Sequence, residues 1–207
     1  MERSCKLVML SDVASIRSGF TFREKVEEVA NGDAHILQIK DARKTFDETN
    51  SFVLLPSALP MINWDGKGRA FLETGDILLP ARGEYSRAFY LAPEPSGKGA
   101  YPVIASSQFL ILSVSIENAL PEYICWALNQ SSAQNYLSQE SRGSNISMLS
   151  VTSVSQLKIP LPTVVTQKKI IQLNHVWEKE QQLSKKLLNN RERMLKGIYK
   201  QLLTEPN

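Results

Sequence analysis

Cysteine, histidine and long apolar runs are scarce in this chain of 207 residues. Its two cysteines, Cys5 and Cys125, form no CxxC pair, which argues against a structural zinc site built on cysteines. Its two histidines, His35 and His175, are too far apart in sequence to indicate a metal site or a catalytic dyad, so we expect each to be satisfied or solvated. Two isolated cysteines fit a reducing, intracellular setting, where we expect both thiols to be buried.

Membrane and secretion signals are also missing. No stretch approaches the roughly 18 apolar residues needed to span a bilayer, and residues 1–10 lack the apolar run of a signal peptide. Hydrophobic residues make up 43% of the chain and charged residues 22%, a composition that supports a packed core. We therefore expect a soluble, cytoplasmic protein.

Catalytic motifs are absent as well. The GKG triplets at 66–68 and 97–99 lack the spacing and the following Ser or Thr of a phosphate-binding loop. The chain contains no GxGxxG after a strand, no GxSxG, no [DNS]PP[FYW] tetrapeptide and no PD…(D/E)xK pattern. The sequence therefore favours binding over catalysis, and a stand-alone enzyme is the least favoured hypothesis.

Short β-prone and helical stretches alternate over residues 1–162, which predicts a mixed α+β domain. Ser11 or Asp12 is suited to cap a short helical turn that Gly19 ends. We expect β-prone runs at 34–40, 76–80 and 101–116, a helix at 121–137, and a loop at 142–150 that leads into a short run at Gln156–Ile159.

A change of composition at Ile159–Thr163 (IPLPT) marks a boundary, and residues 163–207 are predicted to form a long helix. From Thr166 to Leu203 there is no proline, and 38 helical residues would extend about 57 Å. An apolar stripe of that length needs a partner helix, although folding back on the domain is the alternative. Glu180, Asn190 and Arg191 interrupt this stripe. Its members are Ile170, Leu173, Val176, Trp177, Leu183, Leu187, Met194, Ile198 and Leu202.

Basic residues are concentrated in the last part of the chain. The first 165 residues hold 15 Lys and Arg against 17 Asp and Glu, whereas the last 42 hold nine against four. If the domain binds DNA, it must therefore do so through a local basic patch.

The order of several motifs resembles one known family. LSDVASIRSGFTF (10–22), ILQIKDAR (36–43), GDILLPARG (75–83) and VIASSQFLIL (103–112) occur in that order. LPEY begins the closing part at 120–170, which also contains a glycine loop, the IPLP exit and Gln-x-x-Ile at 167–170. Together these motifs resemble the specificity subunit of type I restriction–modification enzymes. No block between Thr45 and Leu72 resembles the family, and sequence-specific loops are expected to vary there.

The resemblance implies a half-length specificity subunit, because family members usually carry two target-recognition domains and two long helices. Two copies, or this chain and a second half-subunit, would pair their helices as an antiparallel coiled coil and read a two-part site on double-stranded DNA. The resemblance further implies that a separate modification subunit carries S-adenosylmethionine and that a restriction subunit uses ATP. This chain would hold no cofactor or metal. The alternative is a dimerising module or recombination cassette that retains the fold without reading DNA.

Candidate DNA contacts lie in polar loops, where Arg suits guanine and Asn or Gln suits adenine. The segment Pro80–Phe89 follows a predicted buried strand, although Arg82 could instead pair with a carboxylate in the domain. The basic turns at 64–69 and 96–99 suit phosphates but could be solvated turns, and RGSN at 142–145 could be structural. Lys40 and Arg43 are possible flanking contacts. The candidate contacts are Arg82, Tyr85, Ser86, Arg87, Lys67, Arg69, Lys98, Arg142, Ser144 and Asn145.

Overall fold

Short strands and helices form a mixed domain that is followed by one long helix, which confirms the predicted α+β class. The computed structural model describes residues 6–66, 68–82, 86–95, 101–142 and 148–204, apart from the side chains of Arg69 and Arg142. The strands in these ranges are β1 (Lys6–Met9), β2 (Ala14–Ser18), β3 (Ala34–Leu37), β4 (Val53–Leu54), β5 (Met61–Ile62), β6 (Ile77–Pro80), β7 (Phe89–Leu91), β8 (Val103–Ala105), β9 (Phe109–Val114) and β10 (Lys158–Leu161). The helices are α1 (Ile39–Thr49), α2 (Pro121–Leu128), α3 (Ser131–Arg142), α4 (Val151–Ser155) and α5 (Val164–Thr204), with 3-10 turns at Leu10–Asp12, Pro56–Ala58 and Gly68–Ala70.

The central sheet has five strands in the order β2-β9-β6-β7-β4, and both of its faces are covered. Along β6, Ile77 and Leu79 belong to a core shared with α2 and α3, whereas Leu78 belongs to a core shared with α1. Alternate residues of a strand point to opposite faces, so a strand buried on both sides reads as a continuous apolar run. This explains the DILLP sequence and confirms the predicted buried strand.

A second sheet of three strands brings the carboxyl ends of two of them together at one edge of the domain. Its order is β5-β3-β8, and β3 and β8 run parallel, so their carboxyl ends lie side by side. The Ser106 N–H donates a hydrogen bond of 3.0 Å to the Leu37 carbonyl at this edge. The residues that follow the two strands, Gln38 and Ser106, therefore leave the sheet next to each other.

The opening segment differs from its prediction. Only Leu10–Asp12 forms a helical turn, and Ala14–Ser18 forms strand β2, paired antiparallel with β9. Gly19 ends a strand rather than a helix, and its role is steric. A Cβ atom at Gly19 would lie 2.2 Å from the Ser106 carbonyl oxygen, so the backbone crossing requires glycine.

Three further local predictions need correction. The β-prone run at 34–40 ends at Leu37, and helix α1, which was not predicted, begins at Ile39. The predicted helix at 121–137 is two helices, α2 and α3, separated at residues 129–130. The short run predicted at Gln156–Ile159 lies instead at Lys158–Leu161, where strand β10 pairs with β1 in a two-stranded sheet that tolerates Pro160.

Helix α5 is fixed to the domain at its base by Gln167, whose side chain is fully buried. Its Oε1 accepts from the Leu120 N–H, and its Nε2 donates to the Asn118 and Pro162 carbonyls, each at 2.8 Å. These bonds connect the start of α5 to the start of α2. The direction of the long helix is therefore set by buried polar contacts.

The first half of α5 continues along the domain. Glu178 accepts from the Ser51 hydroxyl at 2.9 Å, and the Lys185 ammonium donates to the Asp47 carbonyl at 2.8 Å. Within the described residues, no hydrogen bond connects α5 to the domain beyond Lys185. About 19 residues, roughly 28 Å of helix, therefore extend past the last such contact. The alternative in which α5 folds back on the domain therefore holds only for the first half of the helix.

Candidate nucleic-acid interface

The connection between β6 and β7 leaves one end of the central sheet with exposed arginines on either side of residues 83–85. Strand β6 ends at Pro80, and the next residue, Ala81, is held by two backbone hydrogen bonds: its N–H donates to Gln108 at 2.7 Å and its carbonyl accepts from Leu149 at 2.8 Å. Arg82 follows with an exposed side chain. A recognition loop on this support starts from a fixed point.

Arg82 and Met148 form an isolated antiparallel bridge, and Arg82 Nε lies 3.3 Å from Met148 Sδ. Arg82 directly precedes residues 83–85 in the chain, and Met148 directly follows residues 143–147. The bridge therefore brings together described residues from two segments that the sequence predicted separately, 80–89 and 142–150. Tyr85, Ser144 and Asn145 lie outside the described residues. Arg142 is the last residue of α3, and only its backbone is described.

The second half of the connection is held by α2 and α3. Asn129 accepts from the Ala88 N–H and donates to the Ala88 carbonyl, both at 2.8 Å. Arg87 is exposed, and one of its guanidinium nitrogens donates to the Asn129 carbonyl at 2.9 Å. Ser86 is buried, and its carbonyl accepts from Gln134 at 2.8 Å. Its burial favours a supporting role for Ser86, whereas Arg87 remains accessible.

The arginines of this connection have no acidic partner in the described part of the chain. The ion pairs found there involve Arg17 with Asp76, Lys40 with Glu28, and His175 with Glu122. Pairing of Arg82 with a carboxylate, the alternative left open by the sequence, is not among them. No carboxylate among the described residues therefore pairs with Arg82 or Arg87.

The predicted basic turn at 64–69 is built on an aromatic cluster. The Trp64 ring packs edge-on against Phe20 and Phe22, with ring centroids 4.9 and 6.0 Å apart, and also contacts Phe71. Lys67 and Lys98 lie outside the described residues, and the Arg69 side chain is not described. Lys98 precedes strand β8 in the chain, whereas Gln108 follows it.

A polar cleft of about 700 Å³ lies at the edge where β3 and β8 end, and sequence reasoning missed most of it. Helix α1 forms one wall and Gln108 contributes from the start of β9. A helical arrangement of Lys40, Arg43 and Lys44 was the signal that could have revealed this wall. The lining residues are Gln38, Ile39, Lys40, Arg43, Lys44, Asp47, Glu48 and Gln108.

The start of α1 is stabilised by Asp41, whose carboxylate accepts from the Gln38 N–H at 2.9 Å. Burial of Asp41 raises the pKa of its carboxyl, although the hydrogen bond and nearby lysines oppose that shift. Cys125 is buried, as predicted, and burial raises the pKa of its thiol, which makes it a poor nucleophile. Cys5 lies outside the described residues.

His35 is satisfied within the core. Its Nδ1 donates to the Leu59 carbonyl at 3.0 Å, and its ring is buried. His175 lies on α5, half-exposed, 3.2 Å from Glu122 Oε1. Across the described ranges, no group of His, Cys, Asp or Glu side chains is arranged to hold a metal ion, and no helix is both long and apolar enough to cross a bilayer.

The apolar face of α5 is exposed and wider than the predicted stripe. Ile170 is the exception, because it packs half-buried against the domain core. The other predicted interface residues are exposed, including Trp177 at 57% and Leu173 at 71%. The sequence prediction missed Leu188, Leu195, Tyr199 and Leu203, which are exposed next to the stripe.

Comparison with known proteins decides the family. Residues 3–191 match the model of the type I restriction modification DNA specificity domain. The chain belongs to this family. The predicted resemblance to type I specificity subunits is confirmed, and DNA sequence specificity is favoured over a non-reading module. No curated protein matches the chain significantly.

Solved structures share the fold at low sequence identity. The HsdS subunit from Thermoanaerobacter tengcongensis is 14% identical with a TM-score of 0.57, and the match covers 91% of this chain and 40% of that chain. A structure of a type I R-M system is 13% identical with a TM-score of 0.60, covering 98% and 44%. The S subunit from M. genitalium is 13% identical with a TM-score of 0.52, covering 91% and 45%. The chain thus spans less than half the length of these structures.

Proposed function

We propose that this chain reads one half of a two-part DNA site for a type I restriction–modification complex. The bridge between Arg82 and Met148 carries the proposal, because it joins residues from two segments that were predicted as polar loops, at one end of the central sheet. Arg82 and Arg87 supply exposed cations on either side of that end, and arginine is suited to guanine and to phosphate.

The long helix joins this domain to a second reader, either an identical chain or another half-subunit. Its exposed apolar residues beyond Lys185 extend about 28 Å past the last hydrogen bond found between α5 and the domain among the described residues. Antiparallel pairing with a second α5 buries these residues and separates the two domains. The separation between the two parts of the DNA site follows from the length of the paired helices.

The width of the apolar face supports a further helix in the assembly. Adjacent exposed pairs, Leu187 with Leu188 and Met194 with Leu195, recur after seven residues, and Ile198 with Tyr199 follows four residues later. A two-helix seam uses about two residues per heptad, whereas a bundle of more helices buries a broader face. We assign the additional stripe to the modification subunit, which supplies S-adenosylmethionine and transfers the methyl group; ATP-driven cleavage belongs to a restriction subunit. The chain itself catalyses nothing and binds no cofactor.

The test is genome-wide mapping of methylated bases after co-expression with the cognate modification subunit. We expect one two-part motif, which is lost or relaxed in the double variant Arg82→Ala/Arg87→Ala. Lys158→Ala, which removes an exposed cation from β10, is the matched control and should leave the motif unchanged. Absence of any defined motif with the wild-type chain would contradict the proposal.

A further inference from the structure

The cleft at the ends of β3 and β8 places two glutamine side chains on one surface. Gln38 directly precedes α1 and Gln108 directly precedes β9, and both line the same cleft. Seventy residues separate them in sequence, and the parallel pairing of β3 with β8 brings them together. The Gln108 side chain is exposed, and Ser106 Oγ lies 3.5 Å from its Oε1, a weak contact that leaves the amide nitrogen available.

The surroundings of the two amides are basic at one end. Arg43 and Lys44 are exposed on the first turns of α1, and within the described residues neither forms an ion pair. Lys40 is already paired with Glu28. Asp47 and Glu48 line the far end of the cleft, one turn further along the helix. A nucleic-acid backbone is therefore favoured at the amino-terminal end of α1 and disfavoured at the other.

The backbone of Gln108 links the cleft to the end of β6 that precedes Arg82. The Gln108 carbonyl accepts the 2.7 Å hydrogen bond from Ala81, the residue before Arg82, so one rigid edge supports both side chains. An amide that donates and accepts can form two hydrogen bonds with the N6 and N7 atoms of adenine, which lysine and arginine cannot do with the same base.

We propose that Gln38 and Gln108 read adenine in the half-site, while Arg43 and Lys44 bind the flanking phosphates. This inference rests on the proposed function and adds a base type and the side chains that recognise it. Both amides stand on backbone that is fixed by strand pairing, which gives them the defined geometry that direct reading of a base edge requires.

The test selects DNA from a randomised duplex library with the full chain in complex with its modification subunit. The wild-type complex should enrich a motif containing adenine. Gln38→Ala and Gln108→Ala should each reduce the preference at one adenine position about tenfold. Gln108→Glu should shift that position towards cytosine, because a carboxylate accepts from the cytosine N4 amino group.

Two control variants separate base reading from other effects. Gln156→Ala removes an exposed glutamine after α4 and should leave the motif unchanged. Lys44→Ala should weaken binding to all sequences similarly and lower the salt dependence of binding by about one phosphate contact. Gln38 and Gln108 are at least partly exposed, so thermal unfolding of their variants should match the wild type.

The outcomes distinguish the inference from the function on which it rests. A wild-type complex that enriches no motif overturns the proposed function and this inference together. A wild-type motif that both glutamine variants retain overturns this inference alone. Uniform weakening by the glutamine variants, with the motif intact, would assign Gln38 and Gln108 to phosphate contacts and also overturns it.

Discussion

The buried Gln167 side chain accepts a hydrogen bond of 2.8 Å from the backbone N–H of Leu120, which connects the long helix to the domain at their junction. Gln167→Ala removes this acceptor and leaves the carbonyls of Asn118 and Pro162 without their donor. We expect a loss of about 1–3 kcal/mol in the free energy of unfolding, measured with urea. Gln172→Ala, an exposed position on the same helix, is the control and should change stability little.

Pairing of the free half of α5 can be tested with a charge on its apolar face. Leu187→Asp is expected to weaken self-association at least tenfold, because pairing would bury an unpaired carboxylate. Sedimentation equilibrium measures the dissociation constant. Asn189→Asp adds the same charge roughly 200° around the helix and should leave association intact. Equal association of all three proteins would assign the apolar face to a different partner.

Gly19 is expected to tolerate no larger side chain. Gly19→Ala places a Cβ atom 2.2 Å from the Ser106 carbonyl oxygen, which requires the backbone of β2 or of the β8–β9 turn to move. The variant should lose about 3 kcal/mol or fail to accumulate as folded protein, measured by chemical unfolding and circular dichroism.

Gly197→Ala is the matched comparison for that substitution. Gly197 lies within α5, and a Cβ atom there meets nothing within 4 Å. Alanine is the better helix former by up to about 1 kcal/mol, so this variant should be at least as stable as the wild type. Destabilisation of both variants to the same extent would contradict the steric explanation for Gly19.

The buried Asp41 predicts a pH dependence of stability. Burial raises the pKa of its carboxyl in the folded state above the unfolded value, so ionisation opposes folding as the pH rises through the folded pKa. Asp41→Asn can still accept from the Gln38 N–H and should be at least as stable as the wild type at neutral pH. Its advantage should shrink as the pH falls through the folded pKa of Asp41. Urea unfolding at several pH values measures the difference, and an advantage that grows on acidification would refute it.

The sequence predicted those helices and strands whose formation depends on a pattern within one segment. Helix α5 begins at Val164 and ends at Thr204, close to the predicted Thr166–Leu203, because its apolar spacing and lack of proline are both visible in one segment. The two-sided burial of β6 was visible as a continuous apolar run. Helix α1 was missed because it is mostly polar, and because the Asp41 carboxylate caps it by accepting from the Gln38 N–H, with no preceding Ser, Thr or Asp to mark its start.

The features that sequence reasoning missed depend on contacts between distant segments. The role of Gly19 follows from Ser106, which lies 87 residues later in the chain. The polar cleft joins Gln38 to Gln108 through strand pairing that no local pattern encodes. Arg82 and Met148 lie in segments that were each predicted as polar loops, but only the folded structure pairs the two residues.

Because the base of α5 is fixed to the domain, any change in the length of the helix also rotates the part of the helix beyond the change. Each residue inserted after Lys185 advances the helix by about 1.5 Å and rotates everything beyond it by about 100°. A single insertion would therefore turn the apolar face away from its partner. Seven residues complete nearly two turns and add about 10 Å, close to the rise of three base pairs at 3.4 Å each. Heptad-sized insertions thus offer a route to DNA sites with longer gaps that leaves both the reading domains and their pairing unchanged.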